Sequence, residues 1–226
     1  MLWLLLLIPL ALLLYWELVI AEGVHLGPRV VVWLYDLVAP RYERIKKFDP
    51  AVEDEFLGQP LVEQLVAVDE PRVLDVAAGT GRVARALLRQ TAFDGTVANL
   101  ELSQRMLECG RRETALWPGR ADWLRGAAQS LPFADATFDA VTCLEALEFL
   151  PDARAALCEC VRVLRPGGLL VTTNRIGWDA RLMPGKTFSR RNFRHLLAEF
   201  PLEAVRIHPW QVDYDLAWAR KAVVSE

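Results

Sequence analysis

Two hydrophobic patterns meet in this chain. Residues 1–21, MLWLLLLIPLALLLYWELVIA, are apolar almost without interruption, and no charged side chain occurs before Glu17. From Arg72 onward, short apolar runs alternate with stretches of helical periodicity. RVLDVA, GTVANLEL, DWLRGAA, FDAVTCLEA and LLVTTNR read as strands. GRVARALLRQ, SQRMLECGRR, PDARAALCECVRVL and SRRNFRHLLAEF read as helices, the second capped by Ser103 and the third stopped by RPGG. EAVRIHPW and AWARKAVVS close the chain as a hairpin. Alternation of this kind predicts an α/β fold with a doubly wound, mostly parallel, seven-stranded sheet. Three regions follow: a membrane-anchor or transmembrane helix over 1–22, linker and lid helices over 23–70, and the α/β domain over 71–226.

The amino end poses a different solvent problem from the rest. A spanning helix needs about 20 mostly apolar residues, which this stretch just provides, with Pro9 inside it. It lacks the basic leading region of a cleaved signal. Trp3 at one end and Tyr15 and Trp16 at the other suit interfacial positions. Arg29, Arg41, Arg44, Lys46 and Lys47 follow the apolar run, which predicts a catalytic domain on the cytoplasmic side of a membrane. The stretch PRVVVWLYDLVAPRYERIKK, residues 28–47, is apolar first and basic later. It suits a segment lying along the membrane surface, a lid over a site, or both.

Composition narrows the chemistry. The formal net charge of −3 over 226 residues offers no basic field for nucleic acid. The four cysteines form no C-x-x-C pair and read as reduced core thiols, and the three histidines are scattered, so no metal site is expected. No G-x-S-x-G elbow and no paired Cys/His motif appears, and no residue is singled out as catalytic.

The stretch VLDVAAGTGRVARALL, Val73 to Leu88, carries the strongest chemical signal. A strand ends at Asp75, and a small-residue turn to Gly81 opens a helix. Such turns lie at the carboxyl ends of strands, where ligands bind in doubly wound sheets. Gly79 and Gly81 permit close approach of a ligand to the backbone. Gly79 to Ala84 also fit the loose dinucleotide pattern G-x-G-x-x-A. Glu101 ends the next strand, placed to accept hydrogen bonds from ribose hydroxyls. A carboxylate at Asp75 would repel a pyrophosphate but favours the cationic groups of S-adenosylmethionine. An NAD(P)-dependent oxidoreductase and a membrane-tethered cofactor-binding protein without turnover stand as the alternatives.

Four blocks, VLDVAAGTGRV, VANLELSQRML, GAAQSLPFADATFDAV and RVLRPGGLLVTT, occur in order, preceded by YDLVAPRY. Over residues 33–175 the chain thereby resembles the Rossmann-type S-adenosylmethionine-dependent methyltransferases, and within them the ubiquinone/menaquinone-biosynthesis group. The resemblance implies that Asp75, Ala77, Gly79 and Gly81 surround the methionine part of the cofactor. It puts Glu101 on the ribose, Leu102, Ala127 and Ala128 beside adenine, and Leu144 near the methyl donor, with Tyr35 and Tyr42 in the lid. Two departures stand out. Ala127 replaces the usual aspartate that accepts from the adenine amino group. CLEALEFLPD keeps Glu145 and Glu148 of a cation-binding variant but has Phe149 in place of its histidine. No Asn/Asp-Pro-Pro-aromatic block follows the fourth strand, which argues against methylation of DNA bases.

The acceptor is expected to meet the lid and the carboxyl-terminal third. Candidate contacts there are Asn174, Arg175, Trp178, Trp210 and Tyr214, with His195 and His208 beside them. An anchor concentrates acceptors dissolved in the same bilayer. The expected partner is therefore a lipophilic small molecule such as a quinone precursor, another isoprenoid or a phospholipid, met at the membrane.

Overall fold

The computed structural model describes residues 2–223. Its centre is one sheet of seven strands: β1 (Arg72–Val76), β2 (Thr96–Glu101), β3 (Ala121–Arg125), β4 (Phe138–Cys143), β5 (Leu164–Arg175), β6 (Leu202–Trp210) and β7 (Tyr214–Lys221). The order is β3-β2-β1-β4-β5-β7-β6. The first five strands pair in parallel; β7 inserts antiparallel between β5 and β6, as the closing hairpin predicts. The strand order reverses between β1 and β4, which creates the crevice where such sheets bind ligands.

Both faces of the sheet are covered, so the central strands read as continuous apolar runs; every residue of β4 is buried. Side chains alternate across the sheet. Leu74 and Val76 point into one core layer with helices α8 (Ala153–Val163) and α9 (Arg190–Ala198). Val73 points into the other, with α5 (Gln59–Leu65) and α6 (Arg82–Leu88). Helix starts follow local chemistry. Ser103 accepts from Met106 N at the head of α7 (Gln104–Glu113), and Asp152 and Ser189 cap α8 and α9 in the same way. RPGG follows the end of α8 as a bulge in β5, where the register slips between Phe138 and Ala140.

Gly81, the N-cap of α6, has φ 83°, and a Cβ there would stand 2.9 Å from the Trp123 ring. Gly81→Ala is therefore expected to cost about 2 kcal/mol in urea unfolding, from left-handed strain and overpacking together. The loss should shrink when Trp123 is replaced by Leu in the same chain.

The amino end departs from expectation. Helix α1 covers Leu2–Tyr15, and Trp16–Ile20 widens into a π-turn. Fourteen residues of α-helix span about 21 Å, short of the roughly 30 Å of a bilayer core. No helix among the described residues is long and apolar enough to cross a membrane. The predicted transmembrane helix over 1–22 is thus not supported: the helical run is α to Tyr15 and π to Ile20, with no spanning helix in it. Glu17 marks a docking point and not a water interface. It is 6% exposed, accepts from His25 N at 3.0 Å, and lies 2.9 Å from His25 Nδ1. Trp16 Nε1 donates to Leu182 O at 2.9 Å, and Ala21 and Val24 pack with Val31 and Met183. Met1 and the Trp3 side chain lie outside what the structure describes; Leu7, Ile8, Leu10, Leu12, Leu13, Leu14 and Tyr15 are exposed.

Between this root and β1 run α2 (Pro28–Val38), α3 (Tyr42–Lys46) and α4 (Pro50–Glu53), the last passing through a π-turn into α5.

Candidate functional site

A cavity of about 270 Å³ opens at the carboxyl ends of β1, β2 and β4. Its floor is the turn after β1. Ala77 and Gly79 adopt left-handed backbone (φ 57° and 56°), and a Cβ on Gly79 would meet nothing within 4 Å. The loop thus presents bare backbone to the cavity. Glu145, immediately beyond Leu144 on the opposite wall, is also left-handed (φ 50°). Strained positions of this kind gather where a site must be shaped.

Two carboxylates face this space. Glu101 accepts from Gly79 N and Ser103 N, both at 2.8 Å, which fixes its rotamer at the cavity edge. Burial raises its pKa, against the pull of those backbone donors. Asp75 accepts from Thr142 Oγ1 at 2.6 Å. Burial pushes its carboxyl up to about 7; Thr142 counteracts and the neighbouring Glu101 adds to the rise. Arg82, the cation that acts on Asp75, is itself taken up by Glu53 and Glu145, so the two acids suit a cationic ligand. Beyond them, Leu100, Leu102, Ala127 and Ala128 form a flat apolar wall. Gln129 lines the same wall with its Nε2 buried and unpartnered. That free donor lies two residues from Ala127; it can meet a ring nitrogen of a base but does not replace the acceptor that Ala127 removes.

The roof is α2 and the segment after it. Pro28, Val31, Val32, Tyr35, Tyr42 and Phe48 face the cavity. Four acidic or basic side chains of this segment tie it to the α/β domain. Asp36 accepts from Ser103 Oγ at 2.6 Å and Arg105 N at 3.0 Å. Glu43 accepts from Thr80 Oγ1 and from Arg85. Lys46 Nζ lies 3.1 Å from Glu145. Glu53 takes both Nε and Nη2 of Arg82, at 2.5 and 2.9 Å.

Arg82 is the hub of this roof. It also donates to Glu145 Oε1 at 2.5 Å, and its guanidinium lies 4.4 and 4.6 Å from the Phe48 and Trp210 ring centres. Burial opposes its charge, but Glu53 and Glu145 hold the proton on. Burial likewise opposes charge on Glu145, yet Lys46 and Arg82 keep its carboxyl below the usual range.

Asp75, Ala77, Gly79, Glu101, Leu102, Ala127, Ala128 and Leu144 all line this cavity, as do Tyr35 and Tyr42. Gly81 does not; it serves the turn and the packing against Trp123. Several expected acceptor contacts lie elsewhere. Asn174 is buried and donates to Phe188 O, Trp178 is exposed on a separate short turn, and Trp210 is packed against Arg82. Arg175 and Tyr214 converge on Glu148, and they line a second, more open cavity that shares Phe48 and Glu145 with the first. His195 and His208 are exposed. Glu145 and Glu148 have separate partners, and no cluster able to hold a metal ion occurs among the described residues. Sequence reasoning missed Arg82, Glu53 and Phe48. Their only signal was a basic residue, Arg82, directly after Gly81 at the start of a helix that otherwise carries only Arg85 as a charge.

A methyltransferase-domain profile matches residues 74–172. The chain is 34% identical over 156 residues to the demethylmenaquinone methyltransferase of Thermotoga maritima, covering 69% of this chain and 66% of that one. It is 40% identical over 154 residues to the ubiquinone/menaquinone biosynthesis C-methyltransferase UbiE of Roseobacter denitrificans, covering 67% and 60%. The chain spans from 55% to 66% of the length of the curated relatives it matches. Among solved structures, the [4+2]-cyclase SpnF superposes with a TM-score of 0.69 at 21% identity, over 86% of this chain and 96% of that one. This last likeness speaks for the fold alone. The cradle also fits the family's cofactor: bare backbone and Asp75 for its cationic end, Glu101 for a diol, an apolar wall with a free donor for its base. On these grounds the chain carries a methyltransferase domain of Rossmann type that uses S-adenosylmethionine, and it is similar to the ubiquinone/menaquinone-biosynthesis group.

Proposed function

We propose that this protein transfers a methyl group from S-adenosylmethionine to a lipophilic small-molecule acceptor of the quinone-precursor class, at the cytoplasmic face of a membrane. One observation carries the reading. The polar cradle at the strand ends continues directly into an apolar wall of Val31, Val32, Phe149 and Leu150. The relatives' quinone-pathway names support the acceptor class, and the exposed apolar surface of α1 supports the membrane.

When bound, the cofactor supplies a methyl carbon already activated by its sulfonium. The protein's share is to bind, align and exclude water. Asp75, Glu101 and the Ala77–Gly79 backbone would hold the cofactor, and Gln129 would meet its base. Tyr35 and Tyr42 are held protonated, chiefly by burial, with Glu22 beside Tyr35 and Glu145 beside Tyr42 adding to the effect. Neither acts as a base; Tyr42 can donate to an acceptor oxygen, whereas the Tyr35 O–H is already given to Glu22 Oε2 at 2.9 Å. Glu145 is ionised and engaged by Lys46 and Arg82, so it positions the roof.

The test incubates the full-length protein with labelled methyl donor and membrane lipid extract. A labelled, lipid-soluble aromatic product is expected. Capture of a nicotinamide dinucleotide in place of S-adenosylmethionine would overturn the reading, and tight binding with no labelled product would favour the tethered protein without turnover.

Asp75 adds a pH signature. Its carboxyl titrates near 7 in the cofactor-free protein, and a bound cation lowers that value. Binding should therefore release a proton around pH 6–7, and affinity should fall by about tenfold per pH unit below 7. Calorimetry in two buffers of different ionisation enthalpy measures it; Asp75→Asn should abolish the proton release. The stability sign is opposite. The folded pKa exceeds the unfolded one, so this group makes the cofactor-free fold less stable as pH rises from about 4 to 7.

A further inference from the structure

Helix α2 is apolar on two opposite sides. Val31 and Tyr35, one turn apart, face the cavity. Arg29, Trp33 and Leu37, spaced four residues apart, share the opposite face. Trp33 and Leu37 are 57% and 58% exposed, as is Leu26 just before the helix at 53%. A helix apolar all round is ordinarily buried on every side. Charge around α2 is sorted by direction. Its acids turn inward: Glu22 to Tyr35, Asp36 to Ser103, Glu43 to Thr80 and Arg85. Its bases, Arg29, Arg41, Arg44 and Lys47, are exposed. A second copy of the chain on this face would bring like charges together. An anionic lipid surface would neutralise them, and the apolar α1 leads into the same region.

We propose that α2 lies in the headgroup layer of an anionic bilayer, with Leu26, Trp33 and Leu37 against lipid and Arg29, Arg41, Arg44 and Lys47 on phosphates. One helix is then both the membrane contact and the inner wall of the cavity. This deepens the membrane-face reading above and rests on it, but it does not depend on how α1 meets the bilayer.

The test uses full-length protein with vesicles of phosphatidylcholine and phosphatidylglycerol, the former brominated near the headgroup as a quencher. Emission of wild type minus Trp33→Phe isolates the Trp33 signal. That signal is expected to shift to the blue and be quenched severalfold more in phosphatidylglycerol-containing vesicles than in phosphatidylcholine alone. Arg29→Glu/Arg41→Glu/Arg44→Glu should remove the difference. Co-sedimentation with vesicles while Trp33 stays in water and unquenched overturns this proposal alone. Failure to sediment with any vesicle overturns the membrane-face reading along with it. A blue shift that depends on protein concentration without lipid assigns the face to a second copy and also overturns the proposal.

Discussion

Arg82→Met is expected to lower the free energy of unfolding by about 3–5 kcal/mol, the cost of stranding buried charge. The guanidinium is the shared partner of Glu53 and Glu145, both largely shielded from water. Removing it leaves two largely buried carboxylates without their shared cation, with Lys46 the remaining cation on Glu145. It also empties the space between Phe48 and Trp210. Urea unfolding at neutral pH measures the loss. Two controls separate charge from packing. Arg82→Met should recover stability as pH falls and the carboxyls protonate, whereas the wild type should not. Adding Glu53→Gln and Glu145→Gln to Arg82→Met should restore a large part of the loss. A near-neutral single variant would show that this hub does not hold the roof down.

Glu101→Ala is expected to weaken S-adenosylmethionine binding by roughly 10- to 100-fold, the worth of about 1.5–3 kcal/mol for hydrogen bonds to a charged group. Its carboxylate stands at the cavity edge and orders Gly79 N and Ser103 N at the same time. The variant therefore loses a ligand contact and loosens the floor of the cradle. Both backbone donors border an open space that water can fill, so the melting temperature should move by only a few degrees. Glu101→Gln is the sharper probe: one of its two ends must turn a donor toward a backbone N–H. Calorimetric titration with an unchanged dissociation constant would remove Glu101 from the cofactor site.

The sheet was legible because its central strands β1 and β4 are short buried runs bounded by turn residues. Ser103 was legible as a cap because capping is local, decided within one turn of helix. The cradle was legible for the same reason: Asp75 to Gly81 is a single continuous stretch. The Arg82 hub was not, since its partners Glu53 and Glu145 lie 29 and 63 residues away and neither stretch reveals which way its side chains turn. Asn174, Trp178 and Trp210 were placed by their polarity and size, but the chain folds them onto Phe188, into solvent and against Arg82. Glu17 misled in the most instructive way. A lone charge at the end of an apolar run resembles a boundary with water, and its partner His25 is eight residues further on. The docking has a practical consequence for truncation. Removing residues 1–14 spares Trp16 and Glu17 and is expected to leave cofactor affinity unchanged, whereas removing 1–22 strips the contacts to Leu182 and His25 and should destabilise the roof. Thermal melting of the two truncated proteins side by side distinguishes them.

Trp16, held to Leu182, and Glu17, held to His25, tie the foot of α1 to the rest of the molecule. A bilayer that takes up α1 would hold the protein as an axle holds a wheel, not as a leash holds an animal. The domain could spin about the membrane normal but could not rise or tip away from it. The height of the cavity mouth would then be a fixed dimension of the fold, and a flexible spacer inserted after Tyr15 would change which acceptors come within reach without altering a single residue of the pocket.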